Sequence, residues 1–256
     1  MIIIADAHVG GHLGNVVSFF NMLTAFEKTQ HNIVFLGDIF DLWIALPGYE
    51  KKIHKDFLAW CKEQKKHRTI GFIEGNHEFF LASQKKDFFS WCTDLPCYKE
   101  GDTLLFCHGD TINQKDTGYL LFKKLIKNFL VRFILMRLPF GPELTVQIRK
   151  AFKKRNSKIK KYLPETEIIA FGKSMFKNGI EIVFAGHFHQ DYLVCKGYHR
   201  LYVLPDWLST ENIAVYDKKS KNLRICHWSE IERIDAKSLN NSGSKKIYNK
   251  GFQEFS

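Results

Sequence analysis

Short apolar runs that each close on a cluster of acid, amide or imidazole side chains constrain this chain more than any other feature. Met1–Ala5 runs into Asp6-Ala7-His8, Asn32–Leu36 into Gly37-Asp38, and Thr69–Ile73 into Glu74-Gly75-Asn76-His77. Thr103–Cys107 runs into His108-Gly109-Asp110, and Glu181–Ala185 into Gly186-His187-Phe188-His189. Apolar runs of this length read as buried strands. Between the early ones, Gly14–Thr29 and Tyr49–Lys65 carry apolar residues at helical spacing. Strands alternating with helices predict an α/β fold with a substantial central sheet. Ligands in such folds gather at C-terminal strand ends, where these clusters fall.

The clusters hold Asp6, His8, Asp38, Asn76, His108, His187 and His189, all oxygen or imidazole donors with no thiolate. That set suits manganese, iron, zinc or cobalt and offers magnesium too many nitrogens. In Asp6-x-His8 and His187-x-His189, side chains two apart point the same way from an extended segment, so two donors converge from one strand end. Asp38 and Asn76 each follow a Gly, which lets backbone approach a metal closely. Two metals roughly 3.5–4 Å apart share a bridging carboxylate and generate hydroxide at neutral pH. They also neutralise charge on a phosphoryl group in the transition state. One DxH or HxH is weak evidence, because an isolated His at a strand end is usually structural. The whole set of clusters, each at a strand end, points to a two-metal site.

The chain has 256 residues and a net charge of +11, which fits one sizeable domain, or one domain with an insertion, and an anionic partner. The six cysteines form no CxxC pair, so buried, reduced thiols in a cytosolic protein are expected. Ile2-Ile3-Ile4 already reads as a strand, with no basic region or cleavage site before it, so no signal peptide is expected. No uninterrupted apolar run is long enough to span a bilayer. Leu201–Leu204 and Ile213–Tyr216 predict further strands. The domain is expected over 1–233, with a polar tail at 234–256 that lacks a core-forming pattern and packs loosely.

The stretch from 116 to 176 lacks strand signals and predicts a helical insertion between two ligand-bearing strands. Within it, Leu120–Phe140 is dominated by apolar residues punctuated by Lys123, Lys124, Lys127, Arg132 and Arg137. Such a pattern usually means a core-packed helix with a solvated basic face. A position between metal-ligand strands turns the expectation towards a lid whose apolar face meets acyl chains or an anionic membrane surface. Arg149–Lys161 is a second basic stretch, suited equally to phosphate recognition and to a solvated helix face. Trp43 and Trp207 read as core residues.

Asp6-Ala7-His8, Gly37-Asp38, Gly75-Asn76-His77-Glu78, His108-Gly109-Asp110 and Gly186-His187-Phe188-His189 resemble the five motifs of the calcineurin-like metallophosphoesterases. The resemblance implies a four-layered β-sandwich flanked by helices, and a metal pair. One ion would take Asp6, His8, Asp38 and His189, and the other Asp38, Asn76, His108 and His187, with Asp38 bridging. Gly37-Asp38-Ile39-Phe40-Asp41-Leu42-Trp43, Asp116-Thr117-Gly118-Tyr119, Arg155-Asn156-Ser157-Lys158 and Leu204-Pro205-Asp206-Trp207 are similar to the UDP-2,3-diacylglucosamine diphosphatase family of lipid A synthesis. That narrower likeness implies cleavage of a lipid-linked UDP-sugar pyrophosphate to UMP and 2,3-diacylglucosamine 1-phosphate. It also implies two divalent ions, manganese by expectation, and a peripheral place on the inner face of a bacterial inner membrane.

By the same likeness, Asn76, Asp116, Ser157, Lys161 and His187 are expected to contact substrate, and His77 and Asp38 to be catalytic. His77 could orient hydroxide or protonate the leaving oxygen. Two departures stand out. His77 occupies a position where the narrower family often has Arg, and Lys161 and Pro164 replace its substrate-binding Asn and Lys. Action on another phosphodiester or pyrophosphate is therefore the alternative. A nuclease would suit the basic charge, but a continuous Leu/Ile/Phe/Val face does not suit nucleic acid. No nucleic-acid or protein partner is expected.

Overall fold

In a computed structural model of the chain, residues 1–11, 15–137, 147, 163–238 and 252–254 are described. The parallel strands β1 (Ile2–Ile4), β2 (Ile33–Phe35), β4 (Ile70–Ile73) and β6 (Trp91–Thr93) build half of the molecule. With the antiparallel pair β12 (Asn212–Asp217) and β13 (Asn222–His227) they form one sheet, ordered β13-β12-β1-β2-β4-β6. The second sheet runs β14-β10-β11-β9-β8-β7. Its strands are β7 (Cys97–Glu100), β8 (Leu104–Cys107), β9 (Ile182–Ala185), β10 (Tyr192–Lys196), β11 (His199–Val203) and β14 (Phe252–Glu254). The central sheet expected from strand–helix alternation is thus two six-stranded sheets packed face to face, as the family resemblance implies.

Unbroken apolar strands follow from this layering, because both faces of each sheet are covered. Ile2 and Ile4 of β1 face a core beneath helices α1 (Val16–Glu27) and α2 (Lys52–Gln64), while Ile3 faces the space between the sheets. In β8, Leu104 and Phe106 point between the sheets. Leu105 and Cys107 point outward, under Ile168 and Phe176. α1 starts at Asn15, whose side chain accepts from the Ser18 amide at 3.0 Å. It buries Phe19, Met22, Leu23 and Phe26 at helical spacing. Phe57 of α2 is fully buried among the rings of Phe19, Phe35, Phe40 and Phe72. Removing such a ring from water stabilises the fold by about 1.5–3 kcal/mol. Trp43 and Trp207 are core residues too, and Cys61, Cys107, Cys195 and Cys226 are buried.

A two-stranded ribbon, β3 (Trp43–Ile44) with β5 (Glu78–Phe79), stands beside the first sheet. Leu42, Ile44, Leu46, Tyr49, Phe79 and Phe80 form a separate apolar cluster there, and Ile126 and Leu135 of the insertion pack against it. The insertion begins with helices α4 (Thr117–Ile126) and α5 (Phe129–Arg137), after the short α3 (Leu81–Lys85). Residues 138–146 and 148–162 of the expected insertion lie outside the described residues. The helix α6 (Glu165–Lys177) buries Ile168, Gly172 and Phe176 against the second sheet, so it forms part of the outer helical layer.

Of the expected polar tail over 234–256, the described residues are 234–238 and 252–254. A helix continues over Ile231–Ser238, and β14 pairs parallel with β10, Leu193 opposite Phe252. Backbone hydrogen bonds to an open strand edge need no apolar pattern, which is why composition gave no sign of this strand. No helix among the described residues is long and apolar enough to cross a membrane.

Candidate metal centre

β1, β2 and β4 are neighbours in one sheet, and β8 and β9 are neighbours in the other, so their C-terminal ends meet. Asp6 and His8 leave β1, Asp38 leaves β2, Asn76 leaves β4, His108 leaves β8, and His187 and His189 leave β9. Backbone bonds stitch these loops together: the Asp6 amide donates to Gly37 O, the His8 amide to Asp38 O, and the Gly186 amide to His108 O. Three groups of donors have ligand atoms within 4.8 Å of one another: Asp6, His8 and His189; His8, Asp38 and His77; Asp38, His108 and His187. All seven expected ligands meet in this one place, Asn76 joining through its Oδ1, 3.1 Å from His108 Nε2.

The loops gather so closely because two glycines permit it. A Cβ on Gly75 would lie 2.2 Å from Asp38 Oδ1, and one on Gly37 would lie 2.6 Å from the Gly75 nitrogen. Asp6, His8, Asp38, His187 and His189 all hold left-handed backbone, with φ between 44 and 73°. Such geometry costs an ordinary side chain roughly 1–2 kcal/mol, less for Asp and Asn, and it persists at sites that need it.

Hydrogen bonds aim the donors. The His77 amide binds Asp38 Oδ1 at 2.8 Å. The other oxygen, Oδ2, then faces His108 Nε2 at 3.6 Å and the Nε2 atoms of His8 and His77 at 3.9 Å. His108 Nδ1–H donates to Leu36 O at 2.7 Å and His77 Nδ1–H donates to Asp41 O, so each ring turns Nε2 inward. Asp206 Oδ2 lies 3.5 Å from His189 Nδ1, while His189 Nε2 lies 3.9 Å from Asp6 Oδ1.

Glu78 is completely buried behind the loops. Its Oε2 accepts from the amides of Asp38 at 2.8 Å and Gly75 at 2.9 Å, and its Oε1 from Ile39 at 2.8 Å. It therefore ties the β2 and β4 loops to each other. Neither Asp206 nor Glu78 was singled out from sequence. Asp206 stood in a family-like tetrapeptide and Glu78 in the GNHE motif, but nothing local linked either to a ligand.

The electrostatics match a site built for cations. Burial pushes the Asp6 carboxyl up to about 6 and drives His8 down to about 3. Burial and the nearby His108 lower His187 to about 4. For Asp38, burial acts upward, but His77 and His108 hold the carboxyl well below its usual range. Burial opposes a charge on His108, yet Asp38, Asp110 and Asp6 push it up to about 10. Asp6 Oδ1 is buried with no hydrogen-bond partner, although Oδ2 accepts from the His187 amide at 2.7 Å. A buried carboxylate oxygen left unpaired is costly. A cation between Asp6, His8 and His189 would satisfy it, so these residues fit divalent metal.

Among the remaining expected contacts, Asp116 caps α4, accepting from the Tyr119 amide at 2.9 Å. Ser157 and Lys161 lie outside the described residues.

An acid–imidazole pocket that can hold metal, at the joined strand ends of a two-sheet α/β sandwich, belongs to a hydrolase of phosphate esters or anhydrides. Residues 1–191 match the family model for calcineurin-like phosphoesterase, and the chain belongs to that family. It is similar to the UDP-2,3-diacylglucosamine hydrolase of Pasteurella multocida (strain Pm70), 27% identical over 231 residues, covering 82% of this chain and 91% of that one. It is also similar to the UDP-2,3-diacylglucosamine hydrolase of Pseudomonas entomophila (strain L48), 28% identical over 225 residues, covering 81% of this chain and 90% of that one.

Proposed function

We propose that the protein hydrolyses the pyrophosphate of UDP-2,3-diacylglucosamine, giving UMP and 2,3-diacylglucosamine 1-phosphate. The observation that carries this is the apolar surface beside the metal centre. Leu121, Leu125, Leu130, Phe133, Ile134 and Met136 of α4 and α5 are all exposed. Exposed apolar side chains gathered on two successive helices suit a binding surface. Lys124 and Arg137 are exposed among these residues, and the Arg137 guanidinium sits 4.6 Å from the Phe133 ring centroid. Apolar residues with basic neighbours suit acyl chains and the anionic membrane surface that carries them. The relatives named above act, by their names, on such a lipid.

In this reading Asp6, His8, Asp38 and His189 would hold one divalent ion, and Asp38, Asn76, His108 and His187 would hold the other. Bound ions would supply a hydroxide nucleophile at neutral pH and neutralise phosphoryl oxygens. Manganese is the ion proposed, by family likeness and donor type. Asn76 and His187 meet the phosphoryl group at the rim of the pocket. His77, held by Asp41 O with Nε2 inward, exchanges a proton with the attacking water or the leaving oxygen. Asp116, Ser157 and Lys161 contact the UDP-sugar. The protein works at the inner face of the inner membrane.

The alternative is another phosphodiester or pyrophosphate, favoured by His77 where the narrower family often has Arg. An imidazole at that point can move a proton but cannot clamp a phosphate with the bidentate fork of an Arg. Release of UMP from UDP-2,3-diacylglucosamine by the purified protein with manganese, abolished by chelator, is the expected result. Chelator-sensitive cleavage of a generic phosphodiester without any UMP would favour the alternative.

A further inference from the structure

Lys123 of α4 and Lys127, which caps the C-terminal end of that helix, reach buried carboxylates in the loops of the metal centre. Lys123 Nζ lies 2.6 Å from Asp110 Oδ2, and Lys127 Nζ lies 2.8 Å from Glu74 Oε2. Both carboxylates are almost completely buried, with side chains 1% exposed. Each stands two residues from a proposed ligand: Asp110 from His108, and Glu74 from Asn76. The contacts extend into the loops themselves. Lys127 Nζ also donates to Gly75 O at 3.2 Å, directly before Asn76. Tyr119 OH donates to the same Asp110 oxygen that Lys123 engages. Glu74 Oε1 accepts from the Ala82 amide at 2.6 Å, so the acceptor is held from behind. Residues four apart share a helical face, so one helix can make both contacts at once.

We infer that Lys123 and Lys127 are positioning residues, a two-point latch that fixes α4 over the Asn76 and His108 loops. The latch does two things. It sets the height of the apolar face above the metals. It also neutralises two buried carboxylates that would otherwise face an anionic phosphate across a low-dielectric site. A surface ion pair would do neither, because solvent screens it. A buried pair broken on one side leaves an uncompensated charge. A solvated lysine face, the ordinary meaning of a basic helix, requires side chains in water, and these two are only 12–13% exposed.

The inference rests on substrate binding beneath the insertion, and its test separates the two. Lys127→Met and Lys123→Met keep the side-chain length and remove the charge, while Lys127→Arg keeps the charge. Amide hydrogen exchange over residues 117–126 is compared with exchange over β8. KM and kcat are measured for UDP-2,3-diacylglucosamine, or for bis(4-nitrophenyl) phosphate if the lipid is not a substrate. In Lys127→Met, exchange across α4 should quicken by about tenfold or more while β8 stays protected, since α4 opens without global unfolding. KM should rise by about tenfold with a smaller change in kcat, and Lys127→Arg should restore both to within about twofold. Lys123→Met, at the other point of the latch, should repeat the pattern if Lys127→Met does not fold. Unchanged α4 exchange in both methionine variants overturns the latch, and so does faster exchange with KM unmoved. Failure to cleave the lipid substrate would count against the proposed function alone, because the exchange measurement does not depend on it.

Discussion

Asp206 tests whether the hydrogen-bonded support around the ligands tunes metal affinity. Its Oδ2 faces His189 Nδ1 at 3.5 Å and accepts from the Ser209 amide at 2.9 Å, while Oδ1 accepts from Ser209 Oγ at 2.8 Å. In Asp206→Asn, the amide oxygen can take the Oδ2 position and keep both contacts there. The amide nitrogen then falls at Oδ1 and donates to Ser209 Oγ, whose hydroxyl rotates to accept. Every hydrogen bond survives and only the charge goes. Asn also caps a helix as well as Asp does, so the turn at Trp207–Thr210 stays intact. Support of this type is worth about 10–100-fold in metal affinity, or roughly 1.4–2.7 kcal/mol. Asp206→Asn should fall near the lower figure and Asp206→Ala near the upper. The alanine variant also loses the cap, worth about 1 kcal/mol, and its Tm in chelator should drop by about 2–4 °C. The assay is hydrolysis of bis(4-nitrophenyl) phosphate against buffered free manganese, reading the concentration at half-maximal rate. If Asp206→Ala saturates at the parent's manganese concentration, Asp206 does not orient His189 and the reasoning fails.

The proposed bridging role of Asp38 predicts that Asp38→Asn, whose side chain tolerates the left-handed backbone, lowers turnover below about a thousandth while the chelated protein keeps its Tm. Near-normal turnover would remove the two-metal mechanism. Changing Leu130 and Phe133 together to Asp should reduce action on the acylated substrate at least about tenfold, and leave bis(4-nitrophenyl) phosphate hydrolysis within about twofold. Equal losses on the two substrates would count against a lipid-facing surface. His54, buried against Trp43 and Phe40, gives a pH signature away from the metals. Burial takes it from the ordinary 6.5 down to about 3. The unfolded chain therefore binds its proton first, so this contribution is complete above pH 6.5 and is lost as pH falls towards 3. Stability in chelator should decline by up to about 1.4 kcal/mol per pH unit in that window from this group, and His54→Leu should flatten the slope.

The meeting of the candidate ligands was legible because each stands within a few residues of a strand end, so one-dimensional adjacency encodes where it will stand. Asp6 and His8 cannot lie far from the end of Ile2–Ile4, whatever the rest of the chain does. The layers were less legible. Nothing in the sequence of β1 says that Ile3 looks across to a second sheet while Ile2 looks towards α1, because both faces demand the same residue type. Asn222–His227 went unread as a strand because its polar residues mask the pattern, and Tyr192–Lys196 went unread although its apolar run is strand-like, because no ligand cluster closes it. The supports of the site were hidden for the same reason. Glu78 meets Asp38 across forty positions and Lys127 meets Glu74 across fifty-three, distances over which side-chain type carries no pairing signal.

The left-handed backbone at Asp6, His8, Asp38, His187 and His189 bears on how this protein would respond to selection. Gly adopts such angles without penalty, and Asn with little. A screen for heat resistance run in chelator, with no demand for turnover, should therefore enrich Gly or Asn at these positions ahead of most core changes. The same screen run with metal present would set the ions' binding energy against that gain, because a ligand bound only by the folded chain raises its stability. Thermostable variants recovered under the two conditions should diverge first at the histidines, whose rings have the most to lose from the exchange.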